Sequence, residues 1–136
     1  MERVAVTGLG TINPLGVDVA QTWAGAHAGR CAISALEDPW VDEYGLAVRV
    51  AGQLPTPTTE LLSAREVRRL DPATQCALIA ARQAWAQAFG STAQVDPERL
   101  AVSFSPGMGC VTTVMDAWDT LRTKGPRRVA PTTVPA

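Results

Sequence analysis

Few side chains in this chain can do chemistry, and their spacing limits what that chemistry is. The segment FSPGMGC, Phe104 to Cys110, leads from an apolar run through a tight glycine turn and sets Cys110 at the start of the next predicted helix. Amides at a helix N-terminus favour a thiolate, so Cys110 is a candidate nucleophile. Nothing in the sequence brings it a base. His27 is the only histidine, late in a separate predicted helix, where a solvated position accounts for it. A pocket-wall or packing role for Cys110 is the preferred reading, and Cys31 and Cys76 read as small packing residues. The three cysteines are odd in number and lack a C-x-x-C. They predict neither a disulfide framework nor a metal site, and they suit a reducing cytoplasm.

Glycine and arginine supply the other candidates. VAVTGLGTINPLG, Val4 to Gly16, resembles the start of a phosphate-binding loop through Gly8, Gly10 and Gly16. A dinucleotide fingerprint needs its third glycine where a helix begins. Asn13-Pro14 stands there instead and biases the chain to a turn, so a strand leaving through a glycine turn is the better reading. Arg65, Arg68 and Arg69 stand at i, i+3 and i+4, on one helical face. That face is either simply solvated or a docking patch for an acidic partner or a phosphate. Lys124, Arg127 and Arg128 form a second basic cluster with the same two readings.

The elements that must position these residues follow from apolar pattern and punctuation. Val4 to Leu9 and Leu100 to Phe104 read as buried strands. Helices are expected from about Val19 to Ala28 behind an Asp18 cap, and from Ser63 to Leu70 with a Ser63/Glu66 capping box. A third runs from Pro72, behind Asp71, to about Phe89, and a fourth from Val111 to Lys124, ended by Gly125-Pro126. The third carries a small-residue face of Ala77, Ala80, Ala81, Ala84 and Ala88. Leu46 to Leu54 alternates as a short strand. Ile33 to Tyr44 reads as irregular, PTPTT (55–59) as a stiff loop, Asp96-Pro97 as a turn, and Arg127 to Ala136 as an extended tail. The order predicts a layered α/β protein with a mostly parallel sheet, left unfinished at Ala136.

Of 136 residues, 46% are hydrophobic and 18% charged, which fits a folded α/β chain. A net charge of −1 argues against a generic nucleic-acid binder. No apolar run reaches membrane-span length, and no signal peptide is recognisable.

Taken in order, RVAVTGLGTINPLG, RRLDPATQCALIAARQAW, ERLAVSFSPGMG and GPRRVAPTTVP resemble the N-terminal part of a β-ketoacyl-acyl-carrier-protein synthase of the type II elongating kind. ISALEDPWVDEYGLAVRVAGQL looks similar to the mycolic-acid branch of actinobacterial synthases. The resemblance implies a thiolase-like αβαβα layered fold, incomplete in this chain, of which residues 1–136 form the N-terminal portion, truncated before the catalytic cysteine. It implies an acyltransferase of fatty-acid or polyketide synthesis, usually a homodimer. Such an enzyme joins a cysteine-bound acyl group to decarboxylated malonyl-carrier protein in a Claisen condensation. The phosphopantetheine belongs to the acyl carrier protein, so no cofactor of its own is expected, nor a nucleic-acid or membrane partner. The catalytic cysteine, two histidines and lysine lie beyond Ala136 on this reading, so the chain alone is expected to be inactive. Cys110 and His27 match none of them.

Three features carry over by position. Arg65, Arg68 and Arg69 match basic positions that meet the acidic carrier protein. Met108, between Gly107 and Gly109, matches the bulky residue that gates the acyl pocket. Thr133 falls where the family crosses the dimer axis and lines the partner's pocket, and its small size leaves room for longer or bulkier chains. Ser105, Pro106 and Cys110 depart from the usual glycine-loop pattern, which puts the gate's movement in doubt. The alternative is a non-catalytic chain-length-factor-like subunit that pairs with an active synthase.

Overall fold

The computed structural model describes residues 3–90, 95–131 and 133. In chain order it contains α1 (Val19–His27), β1 (Ile33–Ala35), α2 (Pro39–Glu43), β2 (Val50–Gly52), α3 (Thr58–Leu61) and α4 (Ala64–Arg69). Then come α5 (Pro72–Phe89), a first 3-10 turn (Pro97–Arg99), α6 (Val111–Lys124) and a second 3-10 turn (Pro126–Arg128).

Helix starts follow local caps. The Asp18 carboxylate accepts from Gln21 N at 2.8 Å and starts α1. The Ser63 hydroxyl accepts from Glu66 N at 3.4 Å, and the Glu66 carboxylate accepts from Ser63 N at 2.9 Å, closing the expected capping box of α4. Asp71 caps α5, with Pro72 at its first position. Each cap satisfies amides that a helix start leaves without an intrahelical partner.

α5 is the element against which the N-terminal segment packs, and the fit depends on backbone approach. A Cβ on Gly8 would collide with the Ala84 carbonyl oxygen, and one on Gly10 with that of Ala80. Hydrogen atoms at these two positions, facing alanines, let a backbone lie directly on a helix. Side-chain amides from the same helix fix the register. Leu9 N donates to Gln87 Oε1 at 2.5 Å, and Thr11 N donates to Gln83 Oε1 at 3.0 Å. Beyond them Asn13 and Gly16 exchange two backbone bonds of 3.0 Å, forming the turn that Asn13-Pro14 predicts.

Several expectations need correction. Val4–Leu9 and Leu100–Phe104 are not buried strands: neither forms a strand or pairs with one among the described residues. Val4 is 96% and Val102 86% exposed. A strand needs a neighbouring backbone along its edge, and here glutamine side chains of α5 serve the first segment instead. The sheet among the described residues is antiparallel rather than parallel, pairing Ile33 with Gly52, Ser34 with Ala51 and Ala35 with Val50. The stretch 33–44 is ordered into β1 and α2, because Asp38-Pro39 starts a helix rather than only a turn. The loop expected at 55–59 yields to α3 at Thr58, behind Pro57. The expected extended tail begins as the second 3-10 turn, and its residues 132 and 134–136 lie outside the described residues.

Val41, Leu62 and Ile79 are the buried large apolar residues among those described. With so small an apolar interior, close approach and directional bonds carry much of the geometry. Substituting Gly10→Ala is therefore expected to destabilise the protein by about 2 kcal/mol or more, the scale of overpacking against fixed backbone. A denaturant-midpoint measurement that finds no change would show that the approach of segment and helix is not required.

Candidate functional site

The basic face of α4 forms because the helix's own carboxylate is engaged elsewhere. Glu66 Oε1 pairs with Arg82 of α5 at 2.5 Å, while Glu66 Oε2 accepts from Ser63 N and Ser63 Oγ. The bond from Arg82, and those from Ser63, hold the Glu66 carboxyl down to about 2, from an ordinary 4.5. Glu66 thus stays ionised and neutralises Arg82. Arg65, Arg68 and Arg69 are exposed, and none forms an ion pair among the described residues. Arg65 and Arg69 border an open depression of about 480 Å³ that also meets Leu70, Leu78 and Arg82. Guanidinium groups rimming apolar side chains suit an acidic surface that brings an apolar residue of its own.

The glycine loop lies elsewhere, between Phe104 and α6. Gly109 has φ +67°, a conformation side chains rarely adopt, so the turn into α6 depends on glycine there. Met108 is 82% exposed. Phe104, Pro106 and Cys110 face α5, where they enclose a cavity of about 180 Å³ with Ala73, Thr74 and Ala77. Cys110 Sγ lies 3.8 Å from Thr74 Oγ1, within hydrogen-bond reach for sulfur. This agrees with the packing role preferred for Cys110; His27 is exposed at the end of α1, and among the described residues no hydrogen bond is seen between the two.

Asp71 ties the loop's far end to α5. One carboxylate oxygen accepts from Ala73 N at 3.0 Å, capping α5. The other accepts from Thr113 N at 3.2 Å and Thr113 Oγ1 at 2.8 Å, in the first turn of α6. Burial pushes this carboxyl up, but the bonds from Ala73 and Thr113 outweigh it and hold it below its ordinary value. The sequence shows Asp71 as a cap for one helix. That it serves a second helix 42 residues away has no local signal.

The remaining candidates disperse. Thr133 is half-buried, and its amide and hydroxyl both donate to Ala130 O, at 3.1 and 2.7 Å. No hydrogen bond links it to Gly107, Met108 or Gly109 among the described residues. Cys76 is half-buried on α5, and burial pushes its thiol up. Cys31 is exposed, which corrects its reading as a packing residue. Lys124, Arg127 and Arg128 are exposed around the end of α6. Sequence reasoning also passed over Gln75, buried at 5%. Its Nε2 donates to Val67 O at 3.2 Å and Leu70 O at 2.8 Å, and its Oε1 accepts from Thr58 Oγ1 at 2.5 Å. A polar residue one turn after a capping aspartate, on the inward face of a long helix, is the signal that could have found it.

Residues 1–136 match the family described as Beta-ketoacyl synthase, N-terminal domain, and the chain belongs to it. That membership carries the thiolase-like fold class with it. A Staphylococcus aureus protein named 3-oxoacyl-[acyl-carrier-protein] synthase 2 is 36% identical over 135 residues, covering 98% of this chain and 32% of its own length. A Mycobacterium tuberculosis protein of the same name is 31% identical over 131 residues, covering 96% of this chain and 31% of its own length. The chain thus spans about a third of the length of the curated relatives it matches. The staphylococcal identity exceeds the mycobacterial one, so these two relatives give the actinobacterial branch no preference. No helix among the described residues is long and apolar enough to cross a membrane.

The two lowered carboxyls set a pH dependence. Each is held below its unfolded value, so its contribution is complete above that value and is lost as pH falls through the folded one. Stability is expected to fall from about pH 4.5 toward 2 as Glu66 protonates. Replacing Glu66→Gln should flatten that portion of a stability–pH curve measured by urea unfolding. A curve of unchanged slope would remove Glu66 from the account.

Proposed function

We propose that the protein carrying this chain is a β-ketoacyl-acyl-carrier-protein synthase of fatty-acid synthesis. The single observation that carries this reading is the family match over residues 1–136, with relatives named for that activity. On this reading an acyl group moves from carrier-protein phosphopantetheine to an enzyme cysteine, and malonyl-carrier protein loses carbon dioxide. The resulting carbanion attacks the acyl thioester, releasing the cysteine thiolate and forming a β-ketoacyl product. The catalytic cysteine, histidines and lysine are expected outside residues 1–136. The working form is a cytoplasmic homodimer with no cofactor of its own.

What this chain contributes is recognition. Arg65, Arg68 and Arg69 form the docking face for the acidic acyl carrier protein. The neutralised Glu66–Arg82 pair beside them supports this, because it leaves three positive charges uncompensated on one short helix. Gly107, Met108 and Gly109 form the acyl gate, where an exposed, flexible thioether on a glycine turn can be displaced by a chain. Thr133 lines the partner's pocket, where its small side chain admits longer or bulkier acyl groups.

The activity is tested with the full-length protein, acyl-carrier protein and malonyl-carrier protein; absence of any β-ketoacyl product would refute it. Reversing the three arginines to glutamate is expected to weaken carrier-protein binding by at least tenfold at low salt and to remove most of its salt dependence. Binding that is unaltered by the reversal would return α4 to a merely solvated face. Substituting Thr133→Phe is expected to shift the acyl-length profile toward shorter chains, and an unchanged profile would end that assignment.

A further inference from the structure

α6 begins at Val111, immediately after the glycine loop, and its first residues decide where that loop ends. Its N-cap residue, Cys110, makes no side-chain capping bond. The Thr113 amide, of the kind an N-cap side chain ordinarily satisfies, donates instead to Asp71 Oδ2, as does the Thr113 hydroxyl. The same carboxylate, 5% exposed, caps α5 through its other oxygen. One turn further along α5's axis Thr74 meets Cys110. The C-terminal end of the loop is therefore bound to α5 at two adjacent points. On the other side, Pro106 is rigid and faces the same helix across the small cavity. Between these supports lie Gly107, Met108 and Gly109, with open space around both glycines.

We infer that Asp71 is a positioning residue for the 107–109 loop: by holding Thr113 it fixes the end of the loop, confines movement to those three residues, and so sets the acyl-length preference governed by Met108. The last step rests on the reading of this loop as the acyl gate; the anchoring itself does not. Asp71 touches no substrate on this view. Its effect passes through Thr113 and the start of α6.

Two variants of the full-length protein test it. Thr113→Val removes the hydroxyl donor at nearly constant volume and keeps the amide. Asp71→Asn keeps the shape but leaves one acceptor where two donors directions must be served. In both, exchange of the Val111 and Val114 amides, which bond Gly109 O and Cys110 O at the end of the loop, is expected to quicken by about tenfold, the weight of one hydrogen bond to a charged acceptor. The acyl-length profile is expected to broaden with it, and Thr113→Ser is expected to restore both. Gln75→Met, which loses the α4 bonds one turn along the same helix, is expected to leave loop exchange unchanged. Unchanged exchange in the Thr113→Val protein would overturn the inference, as would an equal rise in Gln75→Met, which would mark general loosening of α5. Faster exchange with an unaltered profile in an active enzyme would overturn the link to specificity. A wild-type protein that makes no β-ketoacyl product would refute the functional reading, while the exchange measurements would still decide the anchoring.

Discussion

Two buried polar side chains, one turn apart at the start of α5, set the arrangement of the helices around it. Gln75 donates to Val67 O and Leu70 O at the end of α4 and accepts from the Thr58 hydroxyl at the start of α3, and Asp71 accepts from amides in the first turns of α5 and α6. Three helices are thereby referenced to a fourth through directional bonds. With Val41, Leu62 and Ile79 the only buried large apolar residues among those described, apolar packing alone would specify these orientations weakly. A hydrogen bond with a charged or amide partner away from water has a preferred distance and angle, and an unsatisfied partner there is costly. The interior of this chain is therefore positioned by polar groups that are fully used: among the described residues no buried side-chain nitrogen or oxygen lacks a partner.

How much of this the sequence discloses depends on the range of the interaction. Asp18, Ser63 with Glu66, and Asp71 with Pro72 act within three residues of themselves, so their helices begin where reading predicts. The apolar runs at Val4–Leu9 and Leu100–Phe104 form no strand among the described residues. Whether such a run becomes a strand depends on a backbone brought from elsewhere, which no local pattern announces. The glycine spacing in the first loop is partly legible. Asn13-Pro14 predicts the turn that Asn13 and Gly16 close, but the use of Gly8 and Gly10 depends on Ala80 and Ala84, about 70 residues on, lying against them.

The candidate site divides in the same way. Three arginines at helical spacing are readable as one face. That Glu66 does not neutralise them is not, because its partner Arg82 lies on another helix, 16 residues on. The loop at 107–109 is readable as a turn into a helix, and Cys110 as a wall residue. The anchor beneath it is not, since Asp71 and Thr113 are far apart in sequence and ordinary in type. Local rules find the residues that face outward; the contacts that hold them in place are long-range.

The borrowed cap on α6 also changes what the chain can tolerate at position 110. A helix ordinarily restricts the residue before its first turn to serine, threonine, aspartate, asparagine or glycine, because that residue must serve an amide two or three places on. Here the amide of Thr113 is served from α5, so the constraint is transferred to residue 71. Position 110 can hold a cysteine, whose thiol meets Thr74 of α5 rather than an amide of α6. The side chain at position 110 is thereby released from capping α6, and the start of that helix answers to the N-cap residue of α5 instead.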